Sequence, residues 1–480
     1  MDAFDSLQER LPEAWAANSP GSTAPHVVLA LPSFSLGETI LSHYATRIPS
    51  LEHRYLLSAL MLPRIPGCEL VFVSCAAPAD EVLDYYAALW PAHERASASA
   101  RLHVVEVPDL SGRSVAPKLL ERPDLVERIR GIVDGRPAMI EPWNVTEQEV
   151  ALALALDVPI NGTHPALWPL GFKSAGRRLF QQAGVPVALG REDVQDLGDV
   201  ASAIAQIRRA HPDAAGVVVK HDNSGAGDGN HVIHLGTTEL SDQLAAIPSW
   251  YLSDLRAGGV VEELVTGDDF SSPSVQLDIS PFGEVTVVST HEQVLGGPDD
   301  QVYLGCAFPA SADYAPALVK YGHAIGAELA EYGVLGRVGV DFVAVRKGGS
   351  WEVSALEINL RKGGTTHPFT ALRHLVPGWY DADSGVWRTE SDGSARFYRS
   401  TDNLLDESRL GWLPRRVIEI VRTAGLGFDP NTSTGVVLHM LECLAVDGRF
   451  GLTAIGRSRA EADDLYDAVD EALTASAARS

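Results

Sequence analysis

The residues with the most chemistry in them lie in two apolar segments joined by a glycine turn. VGVDFVAV (338–345) is followed by RKGG and then by SWEVSALEINL (350–360). Apolar runs on either side of a polar glycine turn predict a β-hairpin. With Gly349 at the centre of the turn, Asp341 and Glu357 become cross-strand partners, with Cβ atoms about 5 Å apart. Asn359 lies two residues beyond Glu357, and strand alternation keeps it on the same face. Facing carboxylates repel each other unless a cation lies between them. Two carboxylates and an amide oxygen are hard ligands, suited to a Mg²⁺ ion that in turn holds phosphates. A solvated hairpin face is the alternative, and the apolar residues of both strands weigh against it.

A second candidate is VVVKHDNSGAGDGN (217–230). A strand fixes the position of Lys220, and Ser224, Gly225, Gly227 and Gly229 form a loop whose N–H groups can turn toward an anion. The lysine precedes the glycines, so this is not a Walker A loop, and it is not the G-x-G-x-x-G of a dinucleotide fold. A third is VVEELVTGDD (260–269), an apolar strand that ends in carboxylates at a glycine turn. Its backbone could serve a purine and its carboxylates a ribose; a capped strand end is the plain alternative.

The elements that must position these groups follow from the pattern around them. HVVLALPSF, LVFVSC, LHVVEV and PAMIEPWN are buried strands with room for helices between them, so residues 25–162 are expected to form a domain with a largely parallel sheet. KSAGRRLFQQAG reads as a helix ended by Gly184. SVQLDIS, VTVVST and the 338–360 hairpin suggest an antiparallel sheet. From about residue 370 the chain reads as looser, in WYDADSGVW and ESDGSAR. It recovers in a helix, RRVIEIVRTAG, in a strand pair, TGVVLHMLECLAV and RFGLTAIG, and in a terminal helix from Ala460. The first 24 residues end in a linker-like NSPGSTAP.

Composition excludes several classes. The 480 residues suggest about three domains. The net charge is −25, unfavourable for general binding to nucleic acid or anionic membrane. No apolar run reaches the ~18 residues of a membrane helix, and MDAFDSLQERLPEAW does not read as a secretory signal. Cys68, Cys75, Cys306 and Cys443 lack metal-like spacing, and a reduced, cytoplasmic setting is expected.

Taken in order, Lys173, Lys220 with its loop, Glu262 to Asp269, Asp341, then Glu357, Asn359 and Arg361 resemble the ATP-grasp superfamily of carboxylate–amine ligases over residues 165–370. EINLRKGGTTHPF, LPSFSLGE and TGVVLHMLECL extend the likeness to peptide ligases of the pheganomycin type found in actinomycetes. The resemblance implies an α/β chain: a pre-ATP-grasp domain (25–162) after an N-terminal segment (1–24), an ATP-grasp core (163–370) and a C-terminal α+β extension (371–480). It implies ATP and Mg²⁺ as cofactors. Lys173 and Lys220 would hold phosphates under the Ser224–Gly229 loop. Glu262 would meet the adenine amino group, Glu263 would offer its backbone carbonyl, Val265 its N–H, and Asp269 would bind ribose. Asp341, Glu357 and Asn359 would hold the metal, and Arg361 with Lys220 would act in the chemistry.

The implied reaction activates a carboxylate as an acyl phosphate, which an amine then attacks, releasing ADP and phosphate. The implied partners are a small carboxylic acid, with a guanidino-bearing amino acid derivative as one candidate, and a peptide amine. A second copy of the chain is a further candidate partner. A bicarbonate-activating carboxylase, another amino-acid ligase and an inactive nucleotide-binding regulator are the competing readings. His367 is expected either to face substrate or to be a bonded structural histidine, and His439 to be a core histidine. Trp143, Trp168, Trp379 and Trp412 are core residues or part of a cleft wall.

Overall fold

The computed structural model describes residues 3–35, 45–224, 229–236, 239–296 and 302–477. Gly225 and Gly227 lie outside the described residues. In the first domain the buried strands β1 (His26–Leu31), β2 (Cys68–Ser74), β3 (Leu102–Glu106) and β4 (Ala138–Pro142) form a parallel sheet in the order β3-β2-β1-β4. Helices such as Pro123–Val133 and Glu147–Leu156 cover it. The second of these starts at a capping box in which the Thr146 and Glu149 side chains bond each other's backbone ends. The first 24 residues form two short helices, Ala3–Gln8 and Leu11–Ala17. The Gln8 side chain bonds both the N–H and the carbonyl of Ile160.

A small sheet follows, built from β5 (Gly190–Arg191), β6 (Gly216–His221), β7 (Asn230–His234) and β8 (Gly259–Glu263) in the order β5-β8-β6-β7. The strand pairs β6–β7 and β6–β8 are antiparallel. Helix Leu197–Ala210 packs Val200, Ala203, Ile204 and Ile207 against it, the spacing of one helical face.

The large sheet carries β9 (Phe270–Ser271), β10 (Pro273–Ile279), β11 (Val285–Gly296), β12 (Val302–Phe308), β13 (Gly336–Lys347) and β14 (Ser350–Asn359). Helix Ala315–Glu331 lies close against it: a Cβ on Gly326 would sit 2.5 Å from the Val285 side chain. The sheet then continues into β15 (Gly378–Asp381), β16 (Val386–Thr389), β17 (Ala395–Leu405), β18 (Gly435–His439) and β19 (Arg449–Gly456). The backbone path runs β14-β13-β10-β11-β12-β17-β16-β15, with β19 between β17 and β18.

Two local readings need correcting. The stretch after residue 370 is not loose: β15 and β16 form a hairpin that joins the sheet through β17. In TGVVLHMLECLAV only GVVLH is strand. Met440 turns left-handed at φ 55° and ends it, and Leu441–Asp447 coil into short helical turns.

The 338–360 hairpin forms as expected, but its register arises differently. Lys347 pairs with Ser350 across a two-residue turn, Gly348-Gly349, with φ of 56° and 89°. Glycine takes these positive angles without strain. That turn alone would set Asp341 opposite Leu356. A bulge between Asp341 and Phe342 adds one residue to the β14 side, and Asp341 pairs with Glu357, with Asn359 opposite Gly339.

Candidate active site

Asp341, Glu357 and Asn359 share one face of the β13–β14 hairpin. The Asn359 amide donates to Asp341 Oδ2 at 3.0 Å, and Gln293 Nε2 donates to Oδ1 at 2.7 Å. Burial, and after it the charge of Glu357, push the Asp341 carboxyl up to about 7, against the pull of Arg361 and the two amide donors. Two carboxylates held together in a partly dry place are what a divalent cation would relieve. The donor set, all oxygen, fits Mg²⁺.

Lys173 opens the helix Lys173–Gln182 and is 7% exposed. Its Nζ donates to the Ser224 carbonyl at 2.7 Å and to Ser224 Oγ at 3.1 Å. The helix is docked beside this contact by Asp222, whose carboxylate accepts from the Ser174 N–H at 2.8 Å. Burial lowers the Lys173 pKa; the charges of Glu357, Glu262 and Asp222 oppose that, and Lys220 adds to it. Lys173 therefore lies where the charge of Glu357 on the hairpin and those of Lys220, Glu262 and Asp222 around the small sheet are all felt. A backbone tie holds the two parts together, the Ala355 N–H donating to the Pro186 carbonyl at 2.8 Å.

Lys220, on β6, makes an ion pair with Glu262 of the neighbouring strand β8, a diagonal contact because Glu262 itself pairs with Val218 and Lys220 with Val260. The other Glu262 oxygen pairs with Arg177, which also reaches Glu192 at 2.8 Å and the Ala188 carbonyl at 3.0 Å. Glu262 is 2% exposed, and these cations hold its carboxyl below the usual range despite burial. So the carboxylate expected at adenine is enclosed by Arg177 and Lys220 here. The Glu263 carboxylate turns away to His211 Nδ1 at 2.6 Å. Among the described residues the Val265 N–H makes no backbone hydrogen bond. Asp269 is exposed, 3.5 Å from Arg346 Nη1.

The strand expected to carry Arg361 ends at Asn359, so the following turn places it. Its guanidinium lies 4.6 Å from the ring centre of Trp143, just beyond β4, and donates to the Lys362 carbonyl at 3.1 Å. Burial pulls the Arg361 pKa down and the charges of Glu357 and Asp341 counter it. His367 and His439 both bond Asp402 Oδ1 through Nε2, at 2.8 and 2.7 Å, while Arg54 holds Oδ2 at 2.8 Å. Arg54 already supplies the positive charge there, so the cluster is a bonded knot between the first domain and the C-terminal strands.

Sequence reasoning missed Arg177, a charged residue within a helix read only for its lysine. It also missed a cavity of about 280 Å³ beside Arg361, walled in part by Trp143, Lys362 and His367. Nothing in the spacing signals that cavity, because its walls come from well-separated segments.

A fold that brings two lysines and a carboxylate hairpin around one node defines a class, and the comparisons agree with it. Residues 247–362 match the model of the IQCH-like ATP-grasp family, and residues 416–469 match the PGM1 C-terminal domain. The chain is 32% identical over 427 residues to L-propargylglycine--L-glutamate ligase of Streptantibioticus cattleyicolor, covering 86% of this chain and 87% of that protein. It is 24% identical over 361 residues to IQ motif-containing protein H of Danio rerio, covering 62% of this chain and 34% of that one.

Among solved structures, biotin carboxylase from Campylobacter jejuni gives a TM-score of 0.54 at 13% identity, covering 93% of this chain and 90% of that one. The ADP complex of N5-carboxyaminoimidazole ribonucleotide synthetase gives 0.51 at 13% identity, covering 93% and 96%. These likenesses are of fold. The chain belongs to the ATP-grasp superfamily. Within it, the 32% relative is an amino-acid ligase from an actinomycete.

Proposed function

We propose that the protein is an ATP-dependent carboxylate–amine ligase that activates a carboxylate as an acyl phosphate and couples it to an amino group, releasing ADP and phosphate. The observation that carries this is the convergence of Lys173, Lys220 and the Asp341–Glu357 pair on one buried node. Similarity over 86% of the chain to a protein named as a ligase of two amino acids supports it.

In this reading Lys173 and Lys220 neutralise the nucleotide phosphates, and Lys220 exchanges Glu262 for a phosphate oxygen as it does so. Glu262, still held by Arg177, then turns its freed oxygen to the adenine amino group. The Glu263 carbonyl and the Val265 N–H serve the ring, and Asp269 serves the ribose. Ser224 and the loop through Gly225, Gly227 and Gly229 close over the phosphates and exclude water. Asp341, Glu357 and Asn359 hold Mg²⁺, which when bound offsets phosphate charge during transfer. Arg361 donates to the acyl oxygen as it becomes an oxyanion. The amine nitrogen bonds to the carbonyl carbon, the carbon–oxygen bond to phosphate breaks, and the amine loses a proton.

The reading divides the chain at residues 25–162, 163–370 and 371–480 and places it in the cytoplasm, a setting that its four buried free cysteines suit. It sets the reaction in peptide natural-product biosynthesis, with a small acid and a peptide or amino-acid amine as substrates. A phosphate-release screen of acids against amines tests it, with mass spectrometry of the products. ADP formation that requires both partners supports it, and nucleotide hydrolysis indifferent to either refutes it.

A further inference from the structure

The cavity beside Arg361 has a composition unlike the rest of this acidic chain. Four cations, Arg54, Arg337, Lys362 and Arg373, line it against two carboxylates, Glu141 and Asp278. Arg54 is already paired with Asp402, Lys362 with Glu141, and Arg337 with Asp278 at 2.9 and 3.0 Å. Arg373 has no ion pair or hydrogen bond among the described residues. Three residues of the wall each carry a buried polar atom without a hydrogen-bond partner: Arg337 Nη1, Tyr55 Oη and Asn161 Oδ1. A buried polar group left unpaired is costly, and these are two donors and an acceptor beside a free guanidinium. Burial holds His367 and His374 in the neutral form, so neither adds a further positive charge to the wall at pH 7.

This set matches an α-amino acid. A carboxylate would satisfy Arg373, Arg337 Nη1 and Tyr55 Oη together, and an ammonium would satisfy Asn161 Oδ1 with Glu141 beside it. Size narrows the ligand further. A cavity of about 280 Å³ has room for a ligand the size of one amino acid.

Position says which carboxylate is bound. Arg337 and Asp341 lie on the same face of β13, four residues apart, which at ~3.3 Å per residue is about 13 Å. A carboxylate gripped by Arg337 and Arg373 is therefore not the one presented to the hairpin carboxylates and their ion.

We infer that this cavity binds one of the two ligase substrates as a single amino acid, held by an α-carboxylate that is not activated and survives in the product. The inference rests on the ligase reading of the neighbouring site. It predicts that α-amides and simple amines or acids lacking that group are poor substrates.

The test is calorimetric titration of the full chain, loaded with Mg²⁺ and a non-hydrolysable ATP analogue, with each of the common L-amino acids. Every binder is then titrated again as its α-amide. At least one amino acid should bind, and its amide should bind at least about tenfold more weakly, the loss expected for a charge-assisted contact. Arg373→Gln should weaken the acid about tenfold and leave the amide and the ATP analogue unchanged. Tyr55→Phe, which removes only the unpaired hydroxyl, should shift the same preference in the same direction by a few-fold. Equal binding of acid and amide, unaltered acid binding in both variants, or no binding by any amino acid would overturn the inference. Failure of the ligase reading looks different: amino acids bind with this preference, yet no pairing of acid and amine releases ADP.

Discussion

Glu357→Gln separates the charge of the hairpin pair from its shape. In the metal-free protein Asp341 is pushed from the ordinary 3.8 to about 7. At ~1.4 kcal/mol per pH unit, that is about 4 kcal/mol for keeping it ionised at neutral pH. Burial is the larger part and survives the substitution; the repulsion from Glu357 is the next and does not. Removing it should stabilise the metal-free protein by ~1–2 kcal/mol, which for a domain of this size raises Tm by roughly 2–8 °C. Turnover should fall below detection, because one charged ligand is gone. Thermal unfolding in EDTA, then with Mg²⁺ and ATP, is the assay, run beside ADP release. Wild type should gain stability from Mg–ATP and the variant much less. A lower Tm in EDTA together with near-normal turnover would mean that the two carboxylates neither repel nor share an ion.

The other expectations are briefer. Lys220→Ala should weaken nucleotide binding by ~2–4 kcal/mol, about 30- to 1000-fold in Kd, with the fold intact because Arg177 still holds Glu262; an unchanged Kd removes Lys220 from the site. Arg361→Ala should lower the ligation rate by about 10²–10³ and leave Mg–ATP affinity nearly unchanged, and equal losses in both would place Arg361 on the nucleotide instead. Glu52 is a buried carboxyl raised from 4.5 to about 7 by burial, against hydrogen bonds from Cys75 and the charges of Lys118 and His53. Its raised pKa means that its contribution to stability is full below pH 4.5 and lost as the pH rises through about 7. Glu52→Gln should therefore gain stability relative to wild type between pH 5 and pH 8, by at most ~3 kcal/mol, read as the change in denaturation midpoint; parallel pH profiles in the two proteins would refute this.

Much of the fold could be read in the sequence because the strands are strongly apolar and their helices are punctuated by glycine, proline and capping residues. The Asp341–Glu357 pairing was legible, although the turn lies half a residue away from the assumed centre and a bulge restores the register. A period-2 pattern tells which residues share a face, but not where a bulge falls. The 378–405 region was misread because short strands in WYDADSGVW and ESDGSAR alternate with turn residues, and the pairing of β15 with β16 and of β16 with β17, which β12 and β19 hold in turn, decides their conformation. Arg177, Asp402 and the cavity residues could not be found by spacing. Each acts through partners more than ten residues away in the chain, such as Glu262 for Arg177 and Arg54 for Asp402.

The most direct measurement of the central claim is the fate of the nucleotide during ligation. With purified protein, Mg²⁺, ATP and a productive acid and amine, one ADP and one phosphate should form for each amide bond, with none when either substrate is left out. AMP and pyrophosphate in that stoichiometry would contradict the acyl-phosphate route, and ADP released at the same rate without the amine would contradict the ligase assignment.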